Sequence, residues 1–212
     1  APRLGPACLP APAAVALLPA IPPGAIKGRE DGRVIYETET EYQYARVVEY
    51  DGGVRQLELN EGHAIHSTYR PGSWLTGNYW DGLLVDPFAA LQRTPRRVAM
   101  LGTAAGTTAR QYARYLPDTV VDAVEIDGEL LDIGRRYFDL EDRPQLNKIA
   151  EDARPFLRRS QRRYDVIMVD AFYSDGVPFH LTTLEFVELL RERLTPGGVV
   201  ATNVIGAVTG GS

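Results

Sequence analysis

Three carboxylates in this sequence follow apolar runs that predict β-strands. Glu125 ends one such run, Asp152 follows a second and Asp170 ends the third, YDVIMVD. Because parallel strands end at one edge of a sheet, we expect the three side chains to share one rim. Glu125 would accept hydrogen bonds from the ribose hydroxyls, and Asp152 would accept one from the exocyclic amine of adenine. Asp170 would accept a proton from a nucleophile. Two of these roles have a structural alternative. Asp152 could be a helix N-cap, which one carboxylate can combine with ligand binding, and Asp170 could be an acid of a loop without a function.

A glycine turn precedes Glu125 in the chain. Gly102 and Gly106 bracket the small residues TAA, between an apolar run and a segment of helical composition. Such a turn brings the backbone close to a ligand and places helix N–H groups against it. The pattern G-x-x-x-G is neither the dinucleotide fingerprint nor a phosphate-binding loop. We therefore favour a nucleoside without pyrophosphate, such as S-adenosylmethionine or a relative; the alternative is that the glycines only close a βα turn.

Alternating strands and helices must position these residues. The predicted strands are Val98–Leu101, Thr119–Glu125, Asn147–Ala150, Tyr164–Asp170 and Val199–Asn203. The predicted helices are Trp74–Leu91, interrupted near Pro87, then Thr107–Tyr115, Gly128–Phe138, Asp152–Arg159 and Thr182–Leu194, the last ended by Pro196-Gly197-Gly198. This alternation predicts an α/β, Rossmann-like fold of the S-adenosylmethionine-dependent transferase type, with a parallel sheet in the order 3-2-1-4-5. The ligand is expected at the carboxyl ends of strands 1, 2 and 4.

Two further segments precede this predicted domain. Residues 29–70 alternate apolar and polar side chains between glycine turns, which predicts a small antiparallel β domain. Residues 1–28 are rich in alanine and proline and are interpreted as a disordered tail, an arm packing on a neighbour, or the stub of a membrane region. The apolar run Ala11–Ile21 is too short to span a bilayer. We expect the third domain, 71–212, to be truncated at its C-terminus.

Composition narrows the class of protein. The 212 residues are 44% hydrophobic and 24% charged, with a net charge of −5, values typical of a globular domain that does not bind nucleic acid. The negative charge suits a cationic substrate. One cysteine excludes an intrachain disulfide and fits a reducing, cytoplasmic compartment. His63, His66 and His180 lack metal-ligand spacing, so we predict no metal. The arginines between 154 and 163 are interpreted as a solvated helix face.

Taken together, these motifs resemble the spermidine synthase (polyamine aminopropyltransferase) family. The resemblance runs from about Val34 to Asn203. It is carried by Tyr42-Gln43, Tyr79-Trp80-Asp81, the loop LGTAAGT, Glu125-Ile126-Asp127, Asp152, and Asp170 followed by Gly176, Thr183, Glu185 and Phe186.

The resemblance implies aminopropyl transfer from decarboxylated S-adenosylmethionine to an amine, by a homodimer. It implies that Asp170 takes the amine proton and that Tyr79 hydrogen-bonds the amine. The nucleoside-binding residues it implies are Gln43, Gly102, Thr103, Gly106, Glu125, Ile126, Asp152 and Ala153. On the acceptor side it implies His66, Tyr173 and Asp175.

The acceptor side departs from the family pattern. Ala105 and Tyr173 stand where the family carries aspartates that hold cationic nitrogens, and Asp175 is our candidate to replace one of them. We expect Ala105→Asp to improve the use of putrescine. Two alternatives stay open: a small-molecule methyltransferase that uses S-adenosylmethionine, and a non-catalytic nucleoside-binding module, for example the soluble part of a membrane-tethered protein.

Overall fold

The computed structural model describes residues 31–60, 64–172 and 176–204. The predicted site residues Tyr173 and Asp175 lie outside these ranges, as does the segment 1–28. In the described part of the chain, no helix is long and apolar enough to cross a membrane.

Four antiparallel strands form the first sheet, as the alternating pattern predicts. They are β1 (Arg33–Glu39), β2 (Tyr44–Glu49), β3 (Arg55–Leu59) and β4 (Ala64–Tyr69), paired in the order β1-β2-β3-β4. A 3-10 turn at 51–53 joins β2 to β3. The buried face of this meander packs on the second part of the chain through the side chains of Ala45, Val47, Leu57, Leu59, Leu130, Ile133 and Phe138.

Five strands form a parallel sheet. They are β5 (Arg97–Leu101), β6 (Val120–Glu125), β7 (Leu146–Ala150), β8 (Tyr164–Val169) and β9 (Leu194–Thr202). Their order, β7-β6-β5-β8-β9, confirms the predicted 3-2-1-4-5 arrangement of a Rossmann-like fold.

Helices cover both faces of the parallel sheet. They are α1 (Tyr79–Leu91), α2 (Thr107–Tyr115), α3 (Gly128–Tyr137), α4 (Ala153–Arg159) and α5 (Leu184–Arg193). Apolar residues of α1, α2 and α3 share one buried cluster, and those of α4 and α5 share the other. The sheet is therefore doubly wound, and its central strands read as continuous apolar runs because both faces are buried.

Helix α1 begins later than predicted. The prediction placed its start at Trp74, but the helix starts at Tyr79, where the Asn78 side chain accepts the first free N–H at 2.8 Å. Before it, the Asp81 carboxylate accepts from the backbone N–H groups of residues 76 and 77. These bonds hold the preceding segment in a turn, so the helix begins at Tyr79 rather than at Trp74.

The predicted interruption of α1 near Pro87 is also wrong. Proline has no N–H to give to the carbonyl four residues earlier, which belongs to Leu83. The buried hydroxyl of Tyr112 on α2 donates to that carbonyl at 3.4 Å. A tertiary contact thus supplies the missing donor, and the helix runs through to Leu91.

The Pro196-Gly197-Gly198 turn lies inside β9 rather than before it. Helix α5 ends at Arg193 and β9 follows at once. Leu194 pairs with Tyr164, but Val199 pairs with Val166, so the turn residues form an irregularity in the ladder. Gly197 has φ +74°, a left-handed conformation that glycine adopts without strain.

Candidate functional site

A cavity of about 410 Å³ opens at the carboxyl ends of β5, β6 and β8. It lies where the sheet order reverses, the usual ligand position in doubly wound folds. Ten predicted site residues line it: Gln43, His66, Tyr79, Gly102, Thr103, Glu125, Ile126, Asp152, Ala153 and Asp170. The sequence reasoning therefore placed most of its candidates around one space.

The two loop glycines have different surroundings. Gly102 has φ +86°, and a Cβ there would lie 2.5 Å from the carbonyl oxygen of Asp170. Glycine at this position therefore lets the β5 loop lie against the end of β8. Gly106 has φ +87°, but its open side faces Leu140, whose side chain would be 2.5 Å from an added Cβ. Gly106 thus serves packing and the start of α2; it is not among the residues that line the cavity, and its predicted contact with the nucleoside stays a prediction.

Glu125 holds the glycine loop in place. Its Oε2 accepts from the backbone N–H groups of Thr103 at 3.1 Å and Ala104 at 2.7 Å, and its Oε1 accepts from that of Asp127 at 3.1 Å. Burial raises the pKa of this carboxyl, and the three backbone donors counteract the shift. A carboxylate has about four acceptor sites, so one on Oε1 remains for a ligand hydroxyl.

Asp170 is held between two donors at the end of β8. The Asn203 amide donates to its Oδ1 at 3.0 Å, and the Tyr79 hydroxyl donates to its Oδ2 at 3.4 Å. Burial raises the pKa of Asp170 to about 6; the two donors lower it, and the negative charge of Glu125 raises it. A carboxylate with a pKa near 6 is ionised at neutral pH and close to the ideal strength for a general base.

Tyr79 opens α1 and faces Asp170 across the cavity. Burial and the charge of Asp170 raise the pKa of its phenol, so the hydroxyl stays protonated and acts as a donor. Its ring stacks against that of Trp80, with 4.4 Å between centroids.

Asp152 caps α4 and contacts a histidine. Its Oδ1 accepts from the backbone N–H of Arg154 at 2.8 Å, and its Oδ2 lies 3.2 Å from Nε2 of His180. His180 belongs to a 3-10 helix, Phe179–Leu181, and its carbonyl accepts from the Arg154 guanidinium at 2.8 Å. Asp152 is therefore the N-cap of α4 and also lines the cavity, so the geometry is compatible with both predicted roles.

The meander contributes the opposite wall of the cavity. Leu57 pairs with Ser67 and Glu58 with Ile65, so His66 is the extra residue of a β-bulge, a device that redirects a side chain. Burial lowers the pKa of His66, so its imidazole is neutral at pH 7.

The same wall is tied to the glycine loop by hydrogen bonds. Gln43 on the meander accepts from the Asn60 amide at 3.4 Å. The Ser67 hydroxyl accepts from the backbone N–H of Ala105 at 3.0 Å, and Thr107 on α2 accepts from that of Thr68 at 2.8 Å.

Ala105 is not among the residues that line the cavity. It is fully buried in the apolar cluster between the meander and α3. The expectation that Ala105→Asp would restore an amine contact is therefore not supported by this geometry.

Sequence reasoning missed three features of the cavity. It gave no role to Asn203, which donates to Asp170, and it considered His180 only as a metal ligand. It also missed the apolar wall beside Asp170, to which Met100 and Met168 contribute. The alternation of side chains along β5 and β8 was the available signal, because Met168 lies two residues before Asp170, which directly follows β8.

The fold is a Rossmann-like domain with a cavity at the carboxyl edge of its parallel sheet. A family model described as "Spermine/spermidine synthase domain" matches residues 83–205. The chain therefore belongs to the spermine/spermidine synthase family.

Two named relatives show the extent of the similarity. A probable polyamine aminopropyl transferase of Bifidobacterium longum is 35% identical over 169 residues, covering 80% of this chain and 37% of that protein. Polyamine aminopropyltransferase 2 of Pseudomonas aeruginosa is 30% identical over 185 residues, covering 80% and 48%. The chain thus spans less than half the length of these relatives.

Solved structures support the fold. A probable spermidine synthase from Corynebacterium glutamicum has a TM-score of 0.69 at 24% identity, over 79% of this chain and 62% of that one. A spermidine synthase in complex with the transition-state analogue AdoDATO has a TM-score of 0.61 at 22% identity, over 80% and 56%.

Proposed function

We propose that this protein transfers an aminopropyl group from decarboxylated S-adenosylmethionine to an amine. The observation that carries the proposal is the pairing of Asp170 with Tyr79 in the same cavity as Glu125. Family membership supports it, as do the relatives named as polyamine aminopropyltransferases. Both reactants are cations, which suits a cavity with carboxylates on its wall.

The nucleoside occupies the side of the cavity formed by β5, β6 and α4. Oε1 of Glu125 accepts from a ribose hydroxyl while Oε2 keeps the loop in place. Asp152 accepts from the exocyclic amine of the adenine, and Ile126 and Ala153 contact the base. Thr103 and Gly102 bring the loop backbone to the ribose, and Gln43 lies on the facing wall.

The reaction takes place beside Asp170. The acceptor arrives as an ammonium ion, and the Asp170 carboxylate orients it and takes one proton, which frees the nitrogen lone pair. The nitrogen attacks the aminopropyl carbon next to the sulfonium; a C–N bond forms and the C–S bond breaks. The electron pair of that bond goes to sulfur and gives neutral methylthioadenosine. The Tyr79 hydroxyl donates to Asp170 and helps to orient the incoming nitrogen.

The test compares two donors. The protein is incubated with an amine mixture and either decarboxylated S-adenosylmethionine or S-adenosylmethionine. Methylthioadenosine is expected from the first, and Asp170→Asn should remove it, whereas Asp118→Asn on an exposed loop should not. Formation of S-adenosylhomocysteine from the second donor would instead establish a methyltransferase.

The domain boundaries and the assembly state belong to the same proposal. We propose an alanine- and proline-rich tail or stub at 1–28, a β domain at 29–70 and a nucleoside-binding domain at 71–212, acting as a homodimer. Limited proteolysis tests the first boundary, which should be cleaved before either sheet. Light scattering at micromolar concentration tests the dimer, and a monomeric mass would refute it.

A further inference from the structure

Asp170 and Asn203 lie side by side because they follow paired residues of neighbouring strands. Val169 of β8 is the register partner of Thr202 of β9, and Asp170 and Asn203 come directly after them. The pairing continues for one more step, since the backbone N–H of Asn203 donates to the carbonyl of Val169 at 3.2 Å. The Thr202 hydroxyl donates to the same carbonyl at 3.1 Å. The end of β9 therefore places the Asn203 side chain beside Asp170.

The two oxygens of the Asp170 carboxylate are held differently. The Asn203 amide donates to Oδ1 at 3.0 Å, an ordinary distance for an N–H···O bond. The Tyr79 hydroxyl donates to Oδ2 at 3.4 Å, which is long for a bond between two oxygens. The backbone N–H of Asp170 donates to the carbonyl of Leu101 at 2.9 Å and ties the residue to β5. The residue is thus held at its backbone and at Oδ1, and Oδ2 is the less firmly held oxygen.

We propose that Asn203 is the positioning residue of the proposed base: its amide holds Oδ1 of Asp170, so that Oδ2 takes the proton of the acceptor amine. This inference rests on the proposed aminopropyl transfer. Among the described residues, Asp170 and Tyr79 line the cavity and Asn203 does not, so Asn203 acts through Asp170 rather than on the substrate. In the proton transfer, an N–H bond of the ammonium breaks and an O–H bond forms at Oδ2. The electron pair stays on nitrogen for the attack on carbon.

The same amide favours the ionised form of Asp170. Burial raises the pKa of Asp170 to about 6, the bonds from Asn203 and Tyr79 lower it, and the charge of Glu125 raises it. A variant without the amide should therefore have a higher pKa at Asp170. In the part of the chain that the structure describes, the titratable groups that line the cavity with Asp170 are His66, Tyr79, Glu125, Glu151, Asp152 and His180. A substitution at Asn203 leaves all of them in place, so the difference from the wild type reports the amide.

The first test is the pH dependence of turnover in Asn203→Leu. Leucine has nearly the shape of asparagine but has no donor for Oδ1. We measure kcat/KM as release of methylthioadenosine, with decarboxylated S-adenosylmethionine and putrescine as substrates. The acid limb should move up by about one pH unit or more, because a hydrogen bond to a charged group is lost. A limb that stays in place or moves down would overturn the proposal.

Two further variants sharpen this test. Asn203→Asp, of the same size, puts a second carboxylate beside Asp170 and should move the acid limb at least as far as Asn203→Leu. Asn147→Leu is the matched control. The Asn147 amide donates to the buried Asp122 at 2.7 Å, and neither residue is among those that line the cavity. The same chemical change at Asn147 should leave the acid limb where it is in the wild type.

The value of kcat above the acid limb separates positioning from a general loss of structure. Asp170 is ionised there in both proteins, so a difference in kcat reports the orientation of its oxygens. We expect kcat to fall about tenfold in Asn203→Leu, because the reacting oxygen is less well placed. Calorimetry should give an affinity for methylthioadenosine within about twofold of the wild type. An unchanged kcat above the limb, or a loss of nucleoside affinity that accompanies the lower kcat, would overturn the assignment.

A titration that needs no turnover separates this proposal from the proposed function. If no amine is turned over, aminopropyl transfer fails, and the role of Asn203 is decided by carbon NMR of the Asp170 carboxyl, the signal absent from Asp170→Asn. Its titration midpoint should be about one pH unit or more higher in Asn203→Leu than in the wild type, and unchanged in Asn147→Leu. An equal or lower midpoint refutes the proposal. If Asn203→Leu does not fold, Asn203→Asp is measured in its place, with the same expected direction and the same refuting result.

Discussion

Asp170→Asn is expected to stabilise the fold while it removes activity. The pKa of Asp170 is raised from 3.8 to about 6, mainly by burial. A raised pKa means that the folded state binds the proton more tightly than the unfolded state. The protonated acid therefore contributes fully to the free energy of unfolding below about pH 4, and this contribution is lost as pH rises through about 6. A shift of about two units corresponds to roughly 3 kcal/mol of stability lost by pH 7.

Asparagine cannot ionise, so the variant avoids this loss. The asparagine side chain has one acceptor oxygen, so it can accept from Asn203 or from Tyr79 but not from both. The loss of one hydrogen bond costs about 1 kcal/mol of stability. The net gain at pH 7 is therefore about 2 kcal/mol. At pH 4 the wild-type acid is itself largely neutral, so little ionisation loss is avoided, and the lost bond leaves the variant less stable than the wild type by up to about 1 kcal/mol.

Urea denaturation at pH 4, 5, 6, 7 and 8 measures this difference directly. The free energy of unfolding of Asp170→Asn minus that of the wild type should increase from pH 4 to pH 7 and then level off. Asp118→Asn, on an exposed loop, is the control and should show no such rise. A variant less stable than wild type at pH 7, or a difference that does not change with pH, would refute the burial argument.

The pKa of Asp170 also predicts how the activity depends on pH. The kcat/KM of the wild type should fall about tenfold per pH unit below about pH 6, because the base becomes protonated. Asp170→Asn should lower the rate about 10²–10⁴-fold and lack this acid limb. A residual rate that keeps the limb would assign it to another group.

Three further predictions test the loop and its surroundings. Glu125→Gln should weaken methylthioadenosine binding by about 1.5–3 kcal/mol in calorimetry, against no change in the exposed control Glu141→Gln. Gly102→Ala should destabilise the fold by more than about 2 kcal/mol in urea, because its Cβ meets backbone 2.5 Å away; Gly52→Ala, at a similar φ but in open space, should show the backbone strain alone. Ala105→Asp should lower the melting temperature by several degrees, since it buries a carboxylate among apolar side chains, and a stable variant with improved putrescine turnover would restore the original expectation.

The sheet order was predictable because it depends on local patterns and on general rules of chain connection. Apolar runs such as that of β8 are short, and helices of suitable length separate them, so right-handed crossovers leave few arrangements. The position of the cavity was predictable from the sheet order, because three acids at the ends of parallel strands lie at one edge of the sheet. Glu125, Asp152 and Asp170 could therefore be placed together before any coordinate was known.

The errors came from contacts between residues distant in sequence. The continuation of α1 through Pro87 depends on a hydroxyl from α2, which no local pattern reveals. The orientation of Ala105 depends on the meander, whose Ser67 accepts its N–H and whose apolar face covers it. The resemblance assigned a ligand contact to this position, but packing buries its side chain in the apolar cluster.

The charges of the cavity also suggest why product leaves. Glu125 and Asp170 share one cavity, and burial raises the pKa of both. Under the proposed function, a sulfonium donor brings a positive charge into the cavity that the two acids share, which stabilises both carboxylates. By linkage, their ionisation then favours the donor. Transfer converts the sulfonium to a neutral thioether, so this attraction disappears in methylthioadenosine, although the ribose and adenine contacts are unchanged. Glu125 and Asp170 therefore bind the charged donor more tightly than the neutral product. The loss of affinity is caused by the reaction itself, because transfer removes the positive charge from sulfur.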